Sequence, residues 1–330
     1  MKRELWIPVI GSVICTGALA FGTTGVEENG FTLPQFHNAD AKFLGDQIIT
    51  SVDEGICILD MDGQVVKTFD GLSASWLYVQ EDTSGADPGW AVVYSNHANE
   101  THVLRLSMEN ELLDDQVAVA TDMLAIDPIL IRTEDEWLLT HTAIEGTINN
   151  PSPDGENGTY TVKLYRSEDL TDWEYVTDII SRKQNLEDGD IRYLDGVLYY
   201  FFEKEEYDKG PSAVCVMESS DGGESWSEPK ELLPAVADNE MAGCEPTESG
   251  WRLYLSSDYA CVGESYQGAS AYYADFTGEF EPVSMYRTVE MPDNHAVRLY
   301  EVKKEGGQTH FLFARNFLTD CDLLLRTIEE

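Results

Sequence analysis

The sequence predicts an all-β propeller, and three observations lead there. A cassette of four short apolar strands recurs from Asp40 to the chain end, at intervals of about 35 to 60 residues. Within the strands apolar and polar residues alternate at period two, with almost no helical periodicity. Aromatic residues make up 11 %, with 16 Tyr, 7 Trp and 26 Gly, a composition suited to strands and tight turns. One such cassette cannot bury both faces of its sheet, whereas a closed ring of them can.

At the N-terminus, Lys2 and Arg3 precede an uncharged stretch from Leu5 to Val26. Ala18-Leu19-Ala20 then offers small residues at the positions a signal peptidase reads. The pattern predicts a signal peptide over residues 1–20, cleaved after Ala20, and a secreted or extracytoplasmic protein with no membrane in its mature form. An uncleaved anchor is the alternative, because 22 uncharged residues could just span a bilayer. Pro8, Gly11 and Gly17 weigh against it. Residues 21–35 are expected to be a linker and closing strand, and residues 36–330 a single propeller domain.

The first cassette reads AKFLG, QIITSV, GICILDM and QVVKTF, and the second SWLYVQ, GWAVVYS, THVLRLS and LLDDQVAVA. The third is DPILIRT, EWLLTHTAI, YTVKLYRS and WEYVTDII; the fourth is DIRYLD, GVLYYFFE, SAVCVMES and EPKELL. The fifth is GCEPTE, WRLYLSS, GASAYYADF and EPVSMYRT. The sixth has only HAVRLYEV, THFLFAR and DCDLLLRT. Its missing fourth strand is expected from the N-terminal segment FTLPQFH, residues 31–37, which would zip the ring shut. The count favours six blades. Five would follow if two repeats shared a blade, and a large sandwich is the other architecture. Gly146 to Gly158 reads as a polar loop inside the third repeat.

Asp and Glu number 61 against 21 Lys and Arg, a net charge of −40. Such a polyanion repels nucleic acid and anionic lipid, and no basic cluster offsets it. The acidity fits either adaptation to high salt, which the low count of ten Lys also suits, or a secreted acidic protein kept soluble by charge. Five cysteines follow the signal segment, an odd number that excludes a complete disulfide framework. Cys57 and Cys215 read as buried strand residues, and Cys244 and Cys261, in one repeat, are candidates for a pair. No CxxC points to zinc.

Two turns share a signature. Ser219-Ser220-Asp221-Gly222-Gly223-Glu224-Ser225-Trp226 fits the S-x-D-x-G-x-x-W Asp-box found in sialidases and other propellers. Ser167-Glu168-Asp169-Leu170-Thr171-Asp172-Trp173 resembles the S-x-D-L-x-x-W turn of family-43 glycoside hydrolases. Their reading is structural: the Asp accepts turn N–H bonds and the Trp packs into the blade.

Chemistry is expected where first strands begin. These strands line the central channel and all start at one end, so acids at their starts converge. Asp40 in HNADAKFLGD, Asp127 in LAIDPILI and Glu187 in NLEDGDIRYLDGVLYYF hold such positions. In order and spacing these contexts resemble blocks of the five-bladed glycoside hydrolases of families 43 and 32, over roughly residues 36 to 260. The resemblance implies that Asp40 is base or nucleophile, that Asp127 tunes the site, and that Glu187 is the proton donor. Ala41 stands where the family has proline, and Glu187-Asp188-Gly189-Asp190 lacks the family's proline, so Asp188 is the alternative acid. Glycoside hydrolysis needs one carboxylic acid and one ionised carboxylate, and crowding keeps one of them protonated.

Trp76, Tyr94 and Tyr259 are candidate walls for sugar stacking. His97, His141 and His295 stand on the same side, and Asp190 follows the Glu block. These are the candidate substrate-binding residues. No cofactor is required and no metal ligand set is assigned, although a His in an acidic channel could help to hold a structural Ca²⁺. The leading function is an exported glycoside hydrolase acting on an oligo- or polysaccharide that contains arabinose, xylose or fructose. The non-enzyme alternative is a propeller that binds glycan or protein. A sialidase fits less well. It binds an anionic sugar through an arginine triad with one member in the first blade, and there is no Arg between Arg3 and Arg105.

Overall fold

The structure is a computed structural model and describes residues 27–31, 40–52, 55–83, 88–146, 158–205, 210–317 and 322–329. The expected signal segment, residues 32–37 of the expected closing strand and most of the 146–158 loop lie outside the described residues.

Strand β1 (Glu27–Phe31) precedes the first blade, which is β2 (Ala41–Leu44), β3 (Gln47–Val52), β4 (Gly55–Asp60) and β5 (Val65–Asp70). Blade two is β6 (Ser75–Asp82), β7 (Gly89–Ser95), β8 (Glu100–Ser107) and β9 (Leu112–Ala120). Blade three is β10 (Leu124–Arg132), β11 (Trp137–Ile144), β12 (Thr159–Ser167) and β13 (Glu174–Lys183). Blade four is β14 (Leu186–Leu194), β15 (Val197–Glu205), β16 (Ser212–Ser219) and β17 (Lys230–Leu233). Blade five is β18 (Asn239–Thr247), β19 (Gly250–Ser257), β20 (Ser270–Thr277) and β21 (Pro282–Thr288). Blade six holds β22 (Val297–Glu305), β23 (Gln308–Arg315) and β24 (Asp322–Glu329).

Each blade is an antiparallel four-stranded sheet in simple meander order, and the sixth is completed by β1 on the outer side of β24. The N-terminal segment therefore closes the ring, in a register earlier than expected. Glu27 to Phe31 pair with Thr327 to Leu323, so only Phe31 of the anticipated stretch takes part among the described residues. First strands pack in sequence around the axis, from β2 through β6, β10, β14, β18 and β22 back to β2.

Hydrophobic residues fall into six layers, one between each pair of neighbouring blades. A sandwich would have a single core between two sheets; six interlayer cores fit only a ring. This geometry explains why middle strands are apolar on both faces. β11 (WLLTHTAI) is buried throughout, because blades cover both sides of it. The outermost strands face solvent, so Val65, Val66, Leu112 and Leu113 stay exposed.

The two signature turns close the β12–β13 and β16–β17 connections with similar hydrogen bonds, the Asp reaching two residues on in the first and four in the second. Asp169 Oδ1 accepts the Thr171 N–H at 2.9 Å, and Asp221 Oδ1 accepts the Ser225 N–H at 3.0 Å. The indole N–H of Trp173 reaches the Leu170 carbonyl, and that of Trp226 reaches Gly223. Both indoles pack onto interblade cores. The expected Cys244–Cys261 pair does not form. Cys244 is buried in β18, its thiol against Asp190, while Cys261 lies on the β19–β20 loop; both are free.

Candidate active site

One irregularity, repeated around the ring, builds the site. Five of the six first strands carry an extra residue near their start, at Ser75/Tyr78, Ile126/Ile129, Glu187/Asp190, Met241/Gly243 and Leu299/Glu301. A bulge of this kind bends the strand and re-aims a side chain. In blades two, three and four the first inserted residue has left-handed backbone: Trp76 at φ 53°, Asp127 at φ 47° and Asp188 at φ 44°. Non-glycine residues pay for that conformation, and such strain concentrates at functional positions. Pro128 fits its bulge because the extra residue needs no ladder N–H. Gly189 is required in the next blade, since a Cβ there would lie 2.4 Å from the Tyr200 hydroxyl and 3.0 Å from its ring.

These bulges open into a cavity of about 560 Å³ at the ring axis. Its lining includes Asp40, Asp127, Glu187, Asp188, Asp190, Glu240 and Glu301, with Lys42, Arg192 and Arg298 among them. Trp76 and His97 form one wall, stacked at 5.2 Å and 10°. Tyr266, on the β19–β20 loop, and Phe317 form another, at 4.9 Å from each other.

Asp40 stands one residue ahead of β2. Its carboxylate accepts the Ala41 N–H at 2.9 Å and lies 3.7 Å from the Lys42 ammonium. Burial raises its pKa, an effect that Lys42 and Arg298 partly oppose. Asp127 Oδ2 accepts the backbone N–H of Asp188 at 3.1 Å, which ties the blade-three bulge to the blade-four bulge. Burial first, and then the Asp188 charge, push the Asp127 pKa up to about 8. Asp188 Oδ2 pairs with the Arg298 guanidinium at 2.6 Å, and Arg298 also bonds Glu240. Burial works against the charge on Arg298, but Asp188 and Glu240 hold it firmly protonated. Glu240 is itself driven upward by burial. Glu187 accepts the side-chain N–H of the buried Asn185 at 3.1 Å.

Asp190 lies deeper. It pairs with Arg192 at 2.7 Å and accepts the Cys244 N–H at 2.9 Å, while Arg192 also bonds the Tyr78 hydroxyl and the Cys244 carbonyl. Both arginines of the cavity are thus engaged by the chain's own acids. Asp188, Glu203 and Glu240 bring carboxylate oxygens within 4.8 Å of one another, as do Glu205, Asp238 and Glu240. These are the residues whose chemistry suits a hard cation. Donors of the chain already face them: Arg298 for Asp188 and Glu240, Asn185 for Glu205, and Ser265 for Asp238. No histidine joins either group.

Of the residues expected from the sequence, Asp40, Asp127, Glu187, Trp76, His97 and Asp190 line the cavity. His141, Tyr259 and His295 do not, nor does Tyr94. His141 points into the core between blades two and three, its ring nitrogen 2.8 Å from the Thr101 hydroxyl. Burial lowers its pKa to about 3, so it stays neutral. Tyr94 is buried with its hydroxyl on Asp115. Tyr259 stacks on Tyr286 at 3.9 Å outside the cavity, and His295 is exposed ahead of β22. Proximity to a strand end located these residues, but the side of the strand they occupy turned them away. Arg298, Glu240 and Tyr266 went unnoticed. They come from blades five and six; Tyr266 and Arg298 lie beyond the stretch that resembles the glycosidase blocks, and Glu240, inside it, belongs to none of the three acid contexts.

No protein-family model matches the chain, and none of the curated proteins does. Solved structures do match in fold. A protein of unknown function from Dyadobacter fermentans aligns at TM-score 0.62 and 10 % identity, over 93 % of this chain and 99 % of its own. A thermostable family-43 glycoside hydrolase aligns at TM-score 0.53 and 14 % identity, over 78 % and 90 %. An α-L-arabinofuranosidase from Lactobacillus brevis aligns at 0.55 and 13 %, over 77 % and 90 %. At these identities the likeness is one of fold.

Proposed function

We propose that this protein is an exported glycoside hydrolase acting on neutral glycans that contain arabinose, xylose or fructose. The observation that carries the reading is the convergence of Asp40, Asp127 and Glu187, from blades one, three and four, on one cavity walled by the Trp76–His97 stack. Hydrolysis of a glycoside requires one carboxyl group that gives a proton to the leaving oxygen and one carboxylate that activates water or attacks the anomeric carbon. Asp40 suits the second role. It sits 3.7 Å from Lys42, whose charge partly opposes the burial that raises its pKa. A buried carboxyl crowded by other acids suits the first.

Substrate charge follows from the same geometry. A cavity with this excess of acids repels an anionic sugar, and Arg192 and Arg298 already face carboxylates. The fold shared with a family-43 glycoside hydrolase and an α-L-arabinofuranosidase supports the sugar class. The test is a panel of 4-nitrophenyl arabinofuranoside, xyloside and fructoside together with neutral oligosaccharides. Wild type is expected to cleave at least one, and Asp40→Asn to abolish that cleavage with an unchanged melting temperature. A wild type that binds an oligosaccharide and cleaves nothing would turn the reading to a glycan-binding propeller.

A further inference from the structure

We propose that Tyr266 and Phe317 form a second sugar subsite, which holds the leaving residue of a neutral di- or oligosaccharide across the scissile bond from Trp76 and His97; this rests on the glycosidase reading above. The bond that is cleaved then joins two sugar residues, and a simple alkyl glycoside is a poor substitute.

Ring order sets the two walls opposite each other. First strands follow one another around the axis, so blade five stands three blades from blade two in either direction. His97 lies on the β7–β8 loop of blade two. Tyr266 holds the equivalent loop of blade five, β19–β20, and Phe317 the equivalent loop of blade six, β23–β24. The acids lie between the walls. Asp127, Glu187 and Asp188 occupy the arc through blades three and four, and Asp40 stands across from them in blade one. A bond cleaved among these acids has an aromatic wall on each side. The cavity of about 560 Å³ is in the class, about 300–1,000 Å³, that encloses a drug-sized ligand, which matches a disaccharide rather than one pentose or hexose ring.

The second wall is firmly held. Ser265 and Asn316, each directly ahead of one of its rings, have left-handed backbone at φ 49° and φ 56°, as His97 does at φ 60°. The buried Asp258 carboxylate clamps the β19–β20 loop, accepting the N–H groups of Gly263 at 2.7 Å, Ser265 at 3.0 Å and Asp238 at 2.8 Å. The Ser265 hydroxyl bonds Asp238, and the Gln267 side-chain amide reaches the Phe317 carbonyl at 3.5 Å, which joins the two loops. The rings meet edge to face at 61° and both stay half-buried. A surface fixed in advance lowers the ordering cost of binding. Sugars offer aromatic rings their C–H faces, and the neighbouring carboxylates accept sugar hydroxyls.

The leaving side follows from the neighbours of this wall. The Arg298 guanidinium lies 6.0 Å from the centre of each ring and pairs with Asp188 at 2.6 Å. Tyr266 also acts electrostatically with Glu187. Glu187 and Asp188 are the two acids that the resemblance offers as proton donor, and the donated proton goes to the oxygen of the leaving sugar. The leaving sugar therefore belongs against Tyr266, and the sugar that is attacked belongs against Trp76.

The experiment measures kcat/KM for the disaccharide and the methyl glycoside of the sugar that wild type cleaves, in wild type, Tyr266→Ala, Phe317→Ala and Tyr266→Phe. Wild type should prefer the disaccharide. Either Ala variant should lower that preference about tenfold, and Tyr266→Phe, which keeps the ring, should retain most of it. A general structural defect would slow both substrates alike. An unchanged preference in folded Ala variants, or a wild type with no preference, overturns the subsite. Tyr266→Leu, which keeps bulk without a ring, replaces an Ala variant that does not fold. A wild type that cleaves no glycoside refutes the glycosidase reading instead. The second sugar position is then decided by calorimetry with arabinobiose, xylobiose and inulobiose against arabinose, xylose and fructose. Tighter binding of a disaccharide, lost in Tyr266→Ala, supports it; equal affinity for both sizes, or no binding of either, overturns it.

Discussion

Replacing Arg298 by Met should expose how the centre of the ring is held together. The Arg298 side chain is 14 % exposed and pairs with the side chains of Asp188 (15 %) and Glu240 (8 %), so all three are largely withdrawn from water. Taking away one partner of a buried ion pair leaves an uncompensated charge and costs about 3–5 kcal/mol. Met fills most of the side-chain volume, which limits the packing loss. The two carboxyls can escape the penalty only by taking up protons. The full loss is therefore expected at pH 8 and a clearly smaller one at pH 5.5, where protonation of the orphaned acids is easier. Urea unfolding at both pH values, with unchanged m-values, measures it. Arg298→Met/Asp188→Asn should recover part of the pH 8 loss, because the orphaned charge is gone. A loss under about 1 kcal/mol at pH 8, or the same loss at both pH values, would refute the argument that Arg298 neutralises buried acids.

Trp76→Ala should raise KM for an oligosaccharide about tenfold, equivalent to about 1.4 kcal/mol of lost stacking, with kcat little changed; steady-state kinetics would show it. Gly189→Ala should cost most of the activity, because the new Cβ lies 2.4 Å from the Tyr200 hydroxyl and the bulge carrying Asp188 must shift; circular dichroism would separate this from unfolding. Asp221→Asn should lower the melting temperature at pH 6 and have a much smaller effect near pH 2. The turn N–H and hydroxyl bonds depress the Asp221 pKa to about 2, so its stabilising contribution is present above the ordinary 3.8 and disappears as pH falls through 2. Asp127 carries the opposite sign. Its pKa rises on folding from 3.8 to about 8, so its contribution to stability declines as pH climbs across that window and is flat above it. The melting temperature of Asp127→Asn relative to wild type should therefore increase from pH 5 to pH 8.

Four-strand cassettes, their order and the unmatched last strand were legible in the chain because they rest on local quantities: alternation, turn residues and a strand count. They favoured a ring closed by the N-terminus, and the structure decided six blades against five and against a sandwich. Asp40 and Asp127 were legible for a related reason, since a propeller brings all first-strand starts to one end. Tertiary structure decided everything that depends on the face of a strand. An extra residue in β6, β10 and β14 reverses which side chains reach the axis, and nothing in the alternation of SWLYVQ or LEDGDIRYL announces it. The same bulges place Trp76, Asp127 and Asp188 in equivalent positions, while His141, opposite the extra residue of β10, lies in the core. Arg298 stands 110 positions from Asp188 in the chain. Only ring closure brings that one guanidinium to the acids of blades four and five, where it pairs with Asp188 and Glu240.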